Sequence, residues 1–176
     1  MSRQAAAATA SQVVLLPDAG PLITLAYADA LDLLLAPGWA VQLVDMLLHE
    51  VTRHATPTSQ RIGEWVRQRE LRVLTTRTFA HHARSPSRTS NLGELAIQEV
   101  MNDFALSMPL IRGVFLFEDH KIARASFLLP ASCQKVSTRA FLMFLEEQGL
   151  IASAVDVQAQ ALRAGRAFSQ LRLPPG

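Results

Sequence analysis

The sequence predicts an α/β protein: one domain built on a central, mostly parallel sheet flanked by helices in three α/β/α layers. Three observations carry that prediction. Short apolar stretches alternate along the chain with segments of helical spacing, the pattern that successive parallel β–α units produce. At 176 residues the chain fits a single domain and is long enough to bury a core without staples. No internal repeat and no break in composition divides it.

Taken in order, MSRQAAAATASQ is small and polar, with one Arg and no long apolar stretch. It reads as a disordered tail over 1–12 rather than a secretory signal, with the domain expected over 13–176. VVLL (13–16) is a short apolar run suited to a strand buried on both faces. From Pro21, the residues Leu22, Ile23, Ala26, Ala30, Leu33 and Leu34 recur at helical spacing, predicting one helix that stops before Pro37 and Gly38. WAVQLVD (39–45) is a second strand, and MLLHEVTRH (46–54) a helix with Asp45 as its N-cap. A helix over 58–70, with Thr58 or Ser59 near its start, leads into a strand at LRVLTT (71–76). RTFAHHARSPSRTSN (77–91) has no periodicity and reads as a polar loop. A helix over 92–104 and the strand GVFLFED (113–119) follow, then the helix HKIARASFLL (120–129). A short strand at QKVS (134–137), an amphipathic helix at TRAFLMFLEEQGL (138–150) and a last helix over about 152–168 complete the chain.

The bulk properties exclude several classes of function. Apolar residues make up 49% of the chain, yet no uninterrupted apolar run approaches the roughly 20 residues that cross a bilayer. A membrane protein is therefore not expected, and a cytoplasmic location is. Cys133 stands alone, which removes an intrachain disulfide framework and a cysteine-based zinc site and leaves a small packed residue. A net charge of +2 and a pI near 9.2 permit a phosphate-bearing partner without requiring one. HEVTRH places its histidines five apart, about 140° around a helix against about 40° for the four-residue spacing of a zinc protease, so both rings do not face one metal. His81 and His82 are adjacent and diverge. Neither a phosphate-binding loop, a dinucleotide fingerprint nor a GxSxG elbow occurs.

Ligands of an open parallel sheet bind beyond the carboxyl ends of its strands. Asp18 follows the first predicted strand and Asp119 the strand GVFLF, with Glu118 directly before it. Either acid is equally explained as a helix N-cap. Glu50 lies one turn into the helix after the second strand, where a solvated helix face accounts for it as well. Glu94 opens the helix after the polar loop, where a first-turn acid complements the helix dipole. Gly93 beside it lets another group approach closely. Four acids, each at the N-terminal end of a helix that follows a strand or loop, make coincidence less attractive. Converging carboxylates need a cation to coexist, and hard oxygen donors favour Mg²⁺ or Mn²⁺.

Four segments together resemble the PIN domain, a small metal-dependent nuclease fold found in the toxin components of bacterial toxin–antitoxin pairs. They are LLPDAGPLITLA, VDMLLHEVTR, LGELAIQEV and FLFEDHKIARA, in that order, within a resemblance covering roughly 13–150. The resemblance implies an acidic set of Asp18, Glu50, Glu94 and Asp119 binding one or two Mg²⁺ or Mn²⁺ ions. It places Asp18 and Asp119 on the metal, Glu94 as a ligand or as the residue orienting the attacking water, and Glu50 on a second ion or a bridging water. Either Glu118 or Asp119 can be the last acid. Ser137 and Thr138 stand where the family often has Gly-Thr, so a hydroxyl there is expected near the site. Arg77, Arg84, Arg88 and Arg124, with Thr138, are the expected contacts to a phosphate backbone, against the alternative of an exposed solubilising surface. The implied activity is hydrolysis of RNA phosphodiester bonds. The implied partners are an RNA substrate and an antitoxin protein, with a homodimer also compatible. The final helix, with Arg163 and Arg166, is the candidate interaction element. The competing readings are a catalytically inactive PIN-like module that binds RNA or protein, and an Asp- and metal-dependent phosphatase. The latter lacks its second Asp, since Gly20 occupies that position.

Overall fold

The computed structural model describes residues 11–86, 91–108, 110–118 and 129–167. Five strands, β1 (Gln12–Pro17), β2 (Ala40–Val44), β3 (Arg72–Leu74), β4 (Ile111–Phe117) and β5 (Cys133–Ser137), form one sheet in the order β3-β2-β1-β4-β5. Every neighbouring pair is parallel. Seven α-helices are described: α1 (Ala19–Tyr27), α2 (Asp45–Thr52), α3 (Pro57–Gln68), α4 (Arg77–Arg84), α5 (Leu92–Ser107), α6 (Thr138–Glu147) and α7 (Ala154–Arg163). The predicted α/β architecture is therefore the observed one, with a wholly parallel sheet among the described strands.

The central strands are apolar over most of their length because both of their faces are covered; Gln12, Gln42 and Arg112 are the exceptions. Leu15, Val41, Leu43, Val114 and Leu116 project to one face, beneath α1, α3, α6 and the first residue of α7. Val14, Leu16, Phe115 and Phe117 project to the other, beneath α5 and the start of α2. Phe115 and Phe117 stack with ring centroids 5.4 Å apart. None of the described helices is long and apolar enough to cross a membrane.

Three local expectations need correction. The apolar spacing from Leu22 to Leu34 does not make one helix: α1 ends at Tyr27, and a 3-10 turn (Leu31–Leu35) follows. The break is a Schellman motif in which Asp29 takes the left-handed position at φ +52. Its N–H donates to Ala26 O at 3.3 Å, and that of Ala30 donates to Leu25 O at 2.8 Å. The same pair of bonds ends α3 at Glu70, α6 at Gly149 and α7 at Gly165, so only half of these stops carry the glycine that marks them in a sequence.

The second correction concerns α2, where Val44 rather than Asp45 is the N-cap. Asp45 instead accepts its neighbour's N–H, from Met46 at 2.7 Å, and binds the N–H and hydroxyl of Thr76 at 2.8 and 2.7 Å. The third is α4 itself, which lies within the stretch read as a loop. Its first N–H groups are all satisfied by side chains: those of Arg77 and Thr78 by Glu99, and that of Phe79 by Thr76. Those partners lie on α5 and on the turn fastened to Asp45, so no local periodicity announces the helix.

Strand and helix ends shift elsewhere by only a few residues. β1 starts at Gln12, inside the expected tail, where it pairs with Ile111. The last helix spans Ala154–Arg163, shorter than expected. The helix expected over 120–129 falls almost entirely outside the described residues.

Candidate functional site

From β1 the chain steps to β2 and β3 on one side, then returns past β1 to β4 and β5 on the other. The strand order reverses between β1 and β4, and the carboxyl edge at that point is where doubly wound sheets bind ligands. Asp18 leaves β1 there. Its N–H donates to Leu116 O at 2.8 Å, extending the β1–β4 pairing by one residue, and the residue is only 1% exposed.

Asp18 occupies the N-cap position of α1 with extended φ and ψ, yet its side chain makes no capping hydrogen bond. Pro21, the third residue of the helix, has no N–H to offer such a cap. The carboxylate is thus delivered to the strand edge by β1 without the task that most simply explains an acid in that position. Its chemistry is that of a hard oxygen donor.

Glu118 follows β4 directly and is also buried, at 3% exposure. Its side chain runs against α1: a Cβ built on Gly20 would lie 2.3 Å from Glu118 Cγ, so only glycine fits. One turn further along α1, Thr24 Oγ1 donates to Glu118 Oε1 at 2.6 Å. Arg166, just beyond α7, donates from Nε to Thr24 Oγ1 at 3.0 Å. Thr138 Oγ1, at the start of α6, donates to Phe117 O at 3.0 Å. Its hydroxyl fastens α6 to the end of β4, and the residue is buried. Ser137 Oγ accepts the N–H of Ala140 at 3.0 Å and caps the same helix.

Gly93 is where α5 approaches Glu50 on α2. A Cβ on Gly93 would lie 2.6 Å from Leu47 Cδ2 and 2.8 Å from Glu50 Oε2. The missing side chain lets the first turn of α5 settle on α2, which brings the Glu50 carboxylate beside the residue preceding Glu94. Both acids are partly buried. Asp119, Arg88 and Arg124 lie outside the described residues. Among the described residues, no group of three or more His, Cys, Asp or Glu side chains is arranged to hold a metal ion. The donors themselves are all carboxylate oxygens, which suit Mg²⁺ or Mn²⁺.

Of the predicted phosphate contacts, Arg77 is exposed and pairs with Glu99, Nε to Oε1 at 3.1 Å, while Arg84 is exposed at the end of α4. His49 lies against Phe79 and His82, with ring centroids 5.4 and 5.9 Å away. Two carboxylates away from the site have lowered pKa values. Hydrogen bonds from Arg69 and then Trp65 hold Asp32 below its ordinary range. Burial pushes Glu99 upward, but hydrogen bonds from Arg77 and Thr78 outweigh it and leave the group lowered.

Thr24 and Arg166 are the members of this region that sequence reasoning missed as a pair. The available signal was Thr24 itself, a polar residue four positions after Gly20 and so on the same face of an otherwise apolar helix. Nothing local pointed from Thr24 to Arg166. No protein-family model matches this chain, and no curated protein matches it in sequence.

Proposed function

We propose that this protein is a metal-dependent ribonuclease of the PIN kind, acting as the toxin of a toxin–antitoxin pair. The observation that carries this reading is Asp18: a buried carboxylate at the switch point between β1 and β4 that does not cap the helix it precedes. The acids that the PIN resemblance aligns with it, Glu50 and Glu94, stand on helices packed together at Gly93. In this reading Asp18, Glu94 and Asp119 hold Mg²⁺ or Mn²⁺, with Glu50 on a second ion or a bridging water. Such an ion supplies a water of lowered pKa and neutralises charge on the scissile phosphate.

The chain's own groups have distinct tasks. Asp18 offers a donor whose position is set by the hydrogen bond between its N–H and Leu116 O. Gly93 lets the Glu50 carboxylate stand beside the α5 terminus, whose positive dipole end favours negative charge. Arg84 and, beyond the described residues, Arg88 and Arg124 contact the RNA backbone, while Arg77 divides its charge between that role and Glu99. Val155 and Leu162, exposed seven residues apart on α7, support a protein partner on that helix.

The test is cleavage of single-stranded and structured RNA with Mg²⁺ or Mn²⁺, with and without EDTA. Asp18→Asn and Asp119→Asn are expected to lower the rate at least about a hundredfold while leaving the fold intact. Folded Asn variants that cut as fast as the parent protein refute the catalytic assignment. Binding of RNA that weakens steeply with salt, without cleavage, identifies the protein as a binding module.

A further inference from the structure

We infer that Arg166, Thr24 and Glu118 form a positioning network for the metal site, with Glu118 outside the ligand set; this rests on the metal-dependent reading above. A threonine hydroxyl has one proton to give, and Thr24 gives it to Glu118 Oε1 at 2.6 Å. Its oxygen is then an acceptor, filled by Arg166 Nε at 3.0 Å. Arginine keeps its charge in proteins, so the donations run in one direction, from a permanent cation through a hydroxyl to a carboxylate. Thr24 and Glu118 are 1% and 3% exposed, and hydrogen bonds to charged groups are strongest in such surroundings.

The placement gives the network its role. Glu118 is the residue after β4, and its side chain is wedged across α1 at Gly20. Asp18 opens α1 and hydrogen-bonds to β4 at Leu116. Fixing Glu118 to Thr24 therefore fixes the end of β4 against the helix that begins at Asp18, from both sides of the switch point. Arg166 adds the end of α7, which packs along α1, to the same assembly. Groups that orient ligands in this way typically change metal affinity or activity when removed, although they touch no metal.

The experiment measures Mn²⁺ affinity of the full-length protein by calorimetric titration, well below each variant's melting midpoint, beside RNA cleavage by the same samples. Thr24→Val and Arg166→Met are each expected to weaken Mn²⁺ binding about tenfold without changing its stoichiometry. The double variant is expected to be no weaker than Thr24→Val alone, since both act through one hydroxyl. Glu118→Gln keeps an oxygen to accept the Thr24 bond, so its affinity is expected to stay within about threefold, whereas Glu118→Ala loses about tenfold. A loss beyond about a hundredfold in Glu118→Gln makes Glu118 a ligand and overturns the inference. Affinities of Thr24→Val and Arg166→Met both within about twofold of the parent overturn it from the other side. A parent protein that binds Mn²⁺ but cuts no RNA refutes the nuclease reading alone, and the affinity shifts still judge the network. A parent that binds no Mn²⁺ refutes both.

Discussion

Helices α1 and α4 are of similar length and are held in opposite ways. In α1, six of nine residues are buried, among them Leu22, Leu25 and Ala26 in the core over the sheet, and no side chain caps its start. In α4 no residue is fully buried, and Phe79 is its main apolar contact. What α4 has instead is a complete set of polar anchors. Glu99 accepts four hydrogen bonds from Arg77 and Thr78, and Asp45 holds the Thr76 cap in place. Burial ties α1 to the whole fold, while α4 is tied on by a few bonds. Damage to the first is expected to be global and damage to the second local.

The largest expected effect follows from the core. Leu25→Ala removes a fully buried side chain and is expected to cost about 2–5 kcal/mol, lowering the denaturation midpoint of the whole molecule. Gly20→Ala comes next, at about 1–3 kcal/mol, because the new Cβ meets Glu118 Cγ and the end of β4 must shift. This second variant is also expected to weaken Mn²⁺ binding, which a loss of stability elsewhere would not do; unchanged affinity would separate Gly20 from the site.

Glu99→Gln is expected to cost about 1–2 kcal/mol, with hydrogen-exchange protection lost in α4 and kept in the sheet. The pH dependence has a definite sign. The folded pKa of Glu99 is lowered, so its contribution is complete at neutral pH and is lost as the pH falls below about 4 through the lowered value. Acid exchange that released α4 and β1 together would contradict the distinction between the two regions. The smallest effect runs the other way. Glu70 closes α3 at φ +48, and Glu70→Gly is expected to stabilise the protein by about 0.5–1 kcal/mol, read as a higher melting temperature.

The same contrast explains what the sequence could and could not reveal. β1 and β4 were legible because burial on both faces leaves an apolar run, β2 because only Gln42 interrupts one, and α1 because its apolar residues recur at helical spacing. That spacing continues past Asp29 into Leu33 and Leu34, however, and the left-handed turn that stops α1 has no glycine to mark it. The helix α4 was illegible because its anchors, Asp45 and Glu99, lie 31 and 22 residues away. At the site, Asp18 and Glu94 could be picked out as acids at helix starts and Gly93 as a point of close approach; Glu50, expected near the start of its helix, stands instead in the last turn of α2. The Thr24 partners could not, since Glu118 and Arg166 stand 94 and 142 residues along the chain. Only the folded sheet, with β4 laid beside β1, makes them neighbours.

We propose the carboxyl edge between β1 and β4 as a hard-cation site served by Asp18. Its most direct test is diffraction from crystals grown with Mn²⁺, recorded where manganese scatters anomalously. An anomalous peak is expected about 2.0–2.2 Å from an Asp18 carboxylate oxygen, with Glu118 still bonded to Thr24. A site left empty at saturating Mn²⁺, or a peak on Glu118 rather than Asp18, would contradict it.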